Sequence, residues 1–232
     1  MVTIMNSGKW TKPIFIFGVA IIILSTMAMT TVISGLTKES VLANIQLPAA
    51  PDGWFLSGSQ PADYKTGIDS VFFQHGKKSA YIESAVENPD GFSTLMQQIN
   101  VKEFKGKRIK MTGFIKTKDL NQGAMMWVRV DDFGNKIVAD FDNMQDRPVA
   151  ANSDWTKCEI VFDVPDSKCS ISFGFILSGI GKIWVDNLSF EIVDSTVEKT
   201  AHPINQDMPD EMLNRFPDAI PEKAPSNLDF EN

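Results

Sequence analysis

The sequence predicts an all-β sandwich of about 8–10 antiparallel strands, preceded by one N-terminal transmembrane helix. Three observations carry this expectation. From about residue 45 to 194, apolar and polar residues alternate with period two, and turn residues recur every eight to twelve positions or so. No amphipathic helical stripe of convincing length interrupts that pattern. Upstream of it, the 25 positions from 13 to 37 contain no charged residue. The 232 residues are 43% hydrophobic and include sixteen Phe and five Trp, enough for one packed core. A net charge of −7 argues against a nucleic-acid partner, because phosphate binding needs a basic face.

The charge-free stretch lies between Lys12 and Lys38 and centres on Ile14-Phe15-Ile16-Phe17 and Ile21-Ile22-Ile23-Leu24. At about 1.5 Å per residue a helix of this length exceeds the roughly 30 Å hydrocarbon core of a bilayer. A cleaved signal peptide is the rival reading, with a cut after Ser34 conceivable, but its apolar region usually runs only about 7–15 residues. No cysteine precedes Cys158, which excludes a lipid anchor of the lipobox type. Lys9 and Lys12 precede the span, whereas Lys38 and Glu39 cancel after it, so the positive side stays cytoplasmic. The expected organisation is a cytoplasmic N-terminus over 1–12, an anchor in membrane lipid over 13–37 and a linker over 38–51. A sandwich over 52–194 and an acidic, proline-containing tail over 195–232 complete it. The protein is then a single-pass cell-membrane protein whose β-domain is periplasmic or extracellular.

Within the sandwich the clearest strand is 107–117, with Ile109, Met111, Gly113 and Ile115 on one face. The next, from Gly123, places Met126, Val128 and Val130 inward and Met125, Trp127, Arg129 and Asp131 outward. Residues 155–164 follow, with Cys158, Ile160, Phe162 and Val164 on one side. A Pro165-Asp166-Ser167-Lys168 turn then leads into Ile171, Phe173, Phe175 and Leu177. A last long strand, 182–193, carries Trp184, Leu188, Phe190 and Ile192, with Asp186 expected on the same inward face. Weaker strands are expected at 79–84, 92–101 and 136–141, and short ones near 53–57 and 68–74. So many short strands bury one face each only in a sandwich or barrel, and the spacing fits a jelly roll best.

Gly106-Lys107-Arg108-Ile109-Lys110-Met111-Thr112-Gly113-Phe114 resembles a strand of carbohydrate-binding-module-like, galactose-binding-type jelly rolls, and Gly181 to Leu188 resembles their closing strand. Gly53-Trp54-Phe55-Leu56-Ser57-Gly58-Ser59, Tyr64…Gly67-Ile68-Asp69 and Phe141 to Pro148 are similar to a bacterial domain of this type, found alone or appended to AraC-type regulators. The resemblance covers roughly residues 52–194 and implies the fold, with no activity to carry over. No helix-turn-helix pattern is visible, so it implies no DNA binding either. In similar jelly rolls the acid corresponding to Asp186 helps hold a structural calcium ion. Its usual partner, a Glu from an N-terminal N-x-x-FE strand, is absent from Asn44-Ile45-Gln46-Leu47-Pro48. Hydrogen bonding of Asp186 to loop backbone is therefore the favoured expectation, with calcium as the possible cofactor. Asn227-Leu228-Asp229-Phe230-Glu231 resembles the missing strand, so the tail either docks back onto the sandwich edge or is the stub of a following module. The tail around it has five prolines over 195–226 and eight acids against three bases over 195–232, a composition expected to be extended and solvated.

Catalytic chemistry is sparse. His75 lies in a Gln74-to-Lys78 turn and His202 in the tail, neither beside a nucleophile, and no HExxH or CxxC spacing occurs. The acids from Asp131 to Asp146 (Asp131, Asp132, Asp140, Asp142 and Asp146) could support glycosidase chemistry, but acids in sandwich loops are more often solvated turns or calcium ligands. If residues 165–168 close a hairpin, Val164 faces Cys169 and Cys158 faces Phe175. The two sulfurs would then lie roughly 20 Å apart, too far for a disulfide. Ligand binding is expected on the outward face, where Trp127 and Arg129 point the same way and Phe114 lies near if its strand is a neighbour. Asp142, Asn143, Gln145 and Arg147 would join from an adjoining loop. The competing reading pairs Arg129 with Asp131 or Asp142 and covers Trp127. These residues favour a non-catalytic, membrane-anchored module for glycan or another envelope component, or an accessory subunit bound to a partner membrane protein. An enzyme built on the Asp cluster is the weakest reading.

Overall fold

A computed structural model describes residues 49–207 and 223–232 of the chain. The expected span over 13–37 lies outside the described residues, among which no helix is long and apolar enough to cross a membrane. The described residues form two antiparallel sheets: β1 (Phe55–Gly58), β2 (Tyr64–Asp69), β3 (Ser79–Ser84), β4 (Phe92–Ile99), β5 (Arg108–Lys118), β6 (Ala124–Asp132), β7 (Ile137–Asp142), β8 (Thr156–Asp163), β9 (Cys169–Ser178), β10 (Lys182–Val193) and β11 (His202–Asp207). One sheet runs β1-β4-β9-β6-β7-β11, the other β2-β3-β10-β5-β8. The alternating apolar faces of both sheets meet in one core that includes Leu95, Met111, Ile115, Met126, Phe173 and Phe175. Gly113 is part of that design. A Cβ there would strike Leu188, Met126 and Phe175, so the two sheets approach over a missing side chain.

Four features depart from the alternating pattern. The strand expected over 68–74 is instead β2, ending at Asp69. The Asp69 carboxylate accepts the N–H groups of Val71 and Phe72 and turns the chain into a loop, so the apolar run Val71-Phe72-Phe73 is not a strand. The expected hairpin between β8 and β9 does not form, because β8 pairs with β5 while β9 lies between β4 and β6 in the other sheet. Cys158 therefore faces Gly113 and Cys169 faces Asp132. Both cysteines are free and buried, for reasons of sheet membership rather than hairpin register. On β10 the register with β5 shifts between Asp186 and Ser189, and Asn187 takes a φ of 51°. Ile183 and Val185 belong to the core before this bulge and Leu188 after it, so Trp184 and Asp186 face outward, not inward as expected.

The tail is the fourth departure. Residues 202–207 add β11 beside β7. Residues 223–232, although half of them are exposed, do not leave the domain but run across the open side of the sandwich from one sheet to the other. Lys223 bridges Asn100, the buried Gln97 amide bonds both main-chain groups of Ser226, and the Trp54 indole N–H donates to the Asn227 carbonyl at 2.9 Å. The Leu188 N–H freed by the bulge donates to the Leu228 carbonyl, and Phe230 enters the core with its ring 5.1 Å from Trp54. Glu231 then reaches the β2–β3 loop, where it accepts the N–H groups of Lys77 and Lys78.

Candidate ligand-binding groove

At its Asp142 end β7 breaks into a turn that its own side chains fix. Asp142 accepts the N–H of Met144 at 2.8 Å, Met144 adopts a φ of 52°, and the Arg147 N–H closes the turn on the Met144 carbonyl. The Arg147 guanidinium forks between Asp142, at 2.5 Å, and Asp146, at 2.8 Å. Val149 pairs with Ala124 of β6 and returns the loop to the sheet. Beside this turn β11 supplies a second wall, with His202 opposite Phe141. Between them opens a groove of about 460 Å³ lined by Phe141, Asp142, Asn143, Gln145, Asp146, Arg147, Thr200 and His202. Gln145, Asp146 and His202 are exposed, and Phe141 and Asn143 half-buried. The groove thus offers a carboxamide, a hydroxyl, a guanidinium, a carboxylate and an imidazole around one aromatic ring. Such a set can grip neutral polyhydroxylated molecules by hydrogen bonds and ring contact.

The four loop residues named from the sequence, Asp142, Asn143, Gln145 and Arg147, therefore converge, whereas the three on strands do not join them. Trp127 faces the outer surface of its sheet but is only 2% exposed. Its indole N–H donates to Thr94 Oγ1 at 2.7 Å, two strands away across Gly174. The hollow over it, between Phe92, Met125, Phe141, Asn143 and Ile176, measures about 20 Å³, enough for roughly one water. It is a floor and not an open stacking platform. Arg129 binds the buried Asp131 at 2.7 Å, so the competing reading of that residue is the one realised. Phe114 lies on β5 in the opposite sheet, paired with Asp186 and Lys157, and cannot contribute. Phe141, Thr200 and His202 were missed as site residues. Only the pairing of β7 with β11 creates the wall, and β11 lies in a segment whose composition gave no strand signal.

The acids of the 131–146 stretch are tied individually rather than assembled around one reacting centre. Asp132 accepts from Asn135 and Ser167. Asp140 accepts from Lys199 and from the Asp163 N–H, latching β7 to β8 of the other sheet. Burial pushes the carboxyls of Asp131 and Asp140 up, against the pull of Arg129 and Lys199. Asp142 has one oxygen on a backbone N–H and the other on Arg147.

Asp186 meets loop backbone, as favoured. One oxygen accepts the N–H groups of Gln74 and His75 at 2.7 and 2.9 Å, the other that of Asn187. Burial pushes its carboxyl up, and the three N–H donors pull it back. A calcium ion would need six to eight oxygen ligands, and the groups aimed at Asp186 and Glu231 are N–H donors, so this set does not fit the ion. No group of three metal-ligating side chains occurs among the described residues.

No family model matches the chain. It is 40% identical over 180 residues to the uncharacterized HTH-type transcriptional regulator YbfP of Bacillus subtilis (strain 168), an alignment spanning 77% of this chain and 56% of that one. The chain thus spans about half the length of the curated relative it matches. Among solved structures, it is similar to the CBM22-1 xylan-binding domain of Paenibacillus barcinonensis Xyn10C, with 13% identity, 65% of this chain and 92% of that chain covered, and a TM-score of 0.46. It is also similar to the enzymatically active domain of bacteriophage CBA120 tailspike protein 4, with 16% identity, 61% and 20% covered, and a TM-score of 0.45.

Proposed function

We propose that the chain is a non-catalytic jelly-roll module, tethered to the cell membrane through residues 13–37, that binds glycan or another hydroxyl-rich envelope component outside the cytoplasm. The observation behind this reading is the convergence of Phe141, Asn143, Gln145, Arg147, Thr200 and His202 on one open groove of about 460 Å³. The groove is wide enough for a sugar unit. The turn beneath it is held by hydrogen bonds, so little ordering cost accompanies binding.

The test is a glycan array probed with the full chain in nanodiscs. Hits are expected, and Gln145→Ala combined with His202→Ala should weaken them about tenfold or more while leaving the melting temperature unchanged, since both side chains are exposed. Binding that survives this double variant would refute the groove. A stoichiometric protein partner recovered from detergent, with no glycan hit, would replace this reading with the accessory-subunit one.

A further inference from the structure

The β2–β3 loop presents Val71, Phe72 and Phe73 at 75%, 44% and 40% exposure, beside Ile68 at 38%. Single exposed apolar residues are ordinary, but three consecutive large ones on one loop form a contiguous apolar patch. The loop is also built rather than slack. Asp69 holds the N–H groups of Val71 and Phe72, Ser79 Oγ donates to the Phe72 carbonyl, Asp186 holds Gln74 and His75, and Glu231 holds Lys77 and Lys78. These bonds fix the backbone of the loop. Phe72 packs against Trp184 with the rings tilted and their centres 5.1 Å apart, which stiffens the base of the loop. Lys116, paired with Asp154, lies over Phe72, its Nζ 5.9 Å from the ring centre.

We propose that this loop docks onto the surface of a phospholipid bilayer, seating Val71, Phe72 and Phe73 at the boundary of headgroups and acyl chains. The inference rests on the membrane-tethered reading, and the position of the loop supports it. The chain enters the sandwich at Asp52, whose carbonyl accepts from Asn227. The Asn232 N–H donates to the same Asn227, and the adjacent Glu231 holds Lys77 and Lys78, so residues 227–232 join the entry point directly to the loop that carries the patch. Between the apolar stretch and the first described residue stand positions 38–48, which reach at most about 40 Å when extended. A tether that short keeps the patch near the bilayer at high effective concentration. A few apolar side chains held there then suffice for a weak interfacial contact. The loop covers the outer face of the five-stranded sheet, whereas the groove lies at the β7–β11 edge of the other, so docking leaves the groove free.

The test uses the full chain carrying Val71→Cys labelled with a nitrobenzoxadiazole fluorophore. The native thiols Cys158 and Cys169 are buried and pushed up by that burial, Cys158 to about 12, so labelling is selective near neutral pH. In vesicles of phosphatidylcholine and phosphatidylglycerol, the label at 71 is expected to shift to the blue and to be quenched by spin-labelled lipid. A label at Glu87→Cys, in the β3–β4 connection at the far end, should do neither. A chain that floats with the vesicles while the label at 71 stays in water refutes the docking and spares the anchor. A chain that does not float refutes the anchor and the docking with it. A blue shift seen only in native membranes, and not in pure lipid, overturns the lipid in favour of a protein partner.

Discussion

Residue by residue, the alternating pattern predicts which way a side chain points more reliably than whether it is exposed. Trp127 points outward as its strand requires, yet neighbours on four strands close over it, and its indole N–H is spent on Thr94. Trp127→Phe is expected to cost about 1–2 kcal/mol by leaving the Thr94 hydroxyl short of a donor, and Trp127→Ala about 3–5 kcal/mol by opening a cavity. Urea denaturation measures both. If Trp127→Ala left stability unchanged but abolished glycan binding, the residue would be a ligand platform after all. Asp186 shows the complementary case. Its need for partners was legible from its place in an apolar strand, but not the identity of the donors, which come from residues 74 and 75, more than a hundred positions away.

Among the elements, strand existence was legible nearly throughout β3 to β10, because each alternates over a length that only a half-buried strand explains. Pairing was not. β8 and β9 read as a hairpin, yet join different sheets, since the five-residue connection 164–168 can either turn a hairpin or cross the sandwich. The bulge at Asn187 was equally hidden, although it frees the Leu188 N–H that receives the C-terminal segment. That segment's docking should depend on pH. Hydrogen bonds from the Lys77 and Lys78 N–H groups hold the Glu231 carboxyl below its ordinary 4.5. A depressed acid contributes stability above its unfolded value and loses it as the pH falls through the folded one. Glu231→Gln should therefore lower the melting temperature at neutral pH, with the gap to the native protein closing below about pH 4.5. A gap that stayed constant with pH would show that the carboxylate plays no part in the docking.

For the whole molecule, the C-terminal residues matter far beyond their number. Phe230 is fully buried beside Trp54, Phe173 and Phe175. Phe230→Ala should cost about 3–5 kcal/mol, a fall in melting temperature on the order of 10 °C for a domain of this size. Calorimetry would decide it, and an unchanged transition would mean that the segment is a passenger. The resemblance of residues 227–231 to a missing edge strand pointed here, but composition argued for solvation. Prolines and acids suit an extended chain, and an extended chain is also what a last strand across a sandwich edge must be. What the sequence determined alone was the local half of the structure: strand periodicity, most of the buried faces, and the turn whose four polar residues line the groove. Only the tertiary structure decided which strands are neighbours, where the tail closes the core, and which wall completes the groove. Alternation reports the environment on either side of one strand, whereas pairing depends on partners distant in the chain, and nothing within a single strand's pattern encodes them.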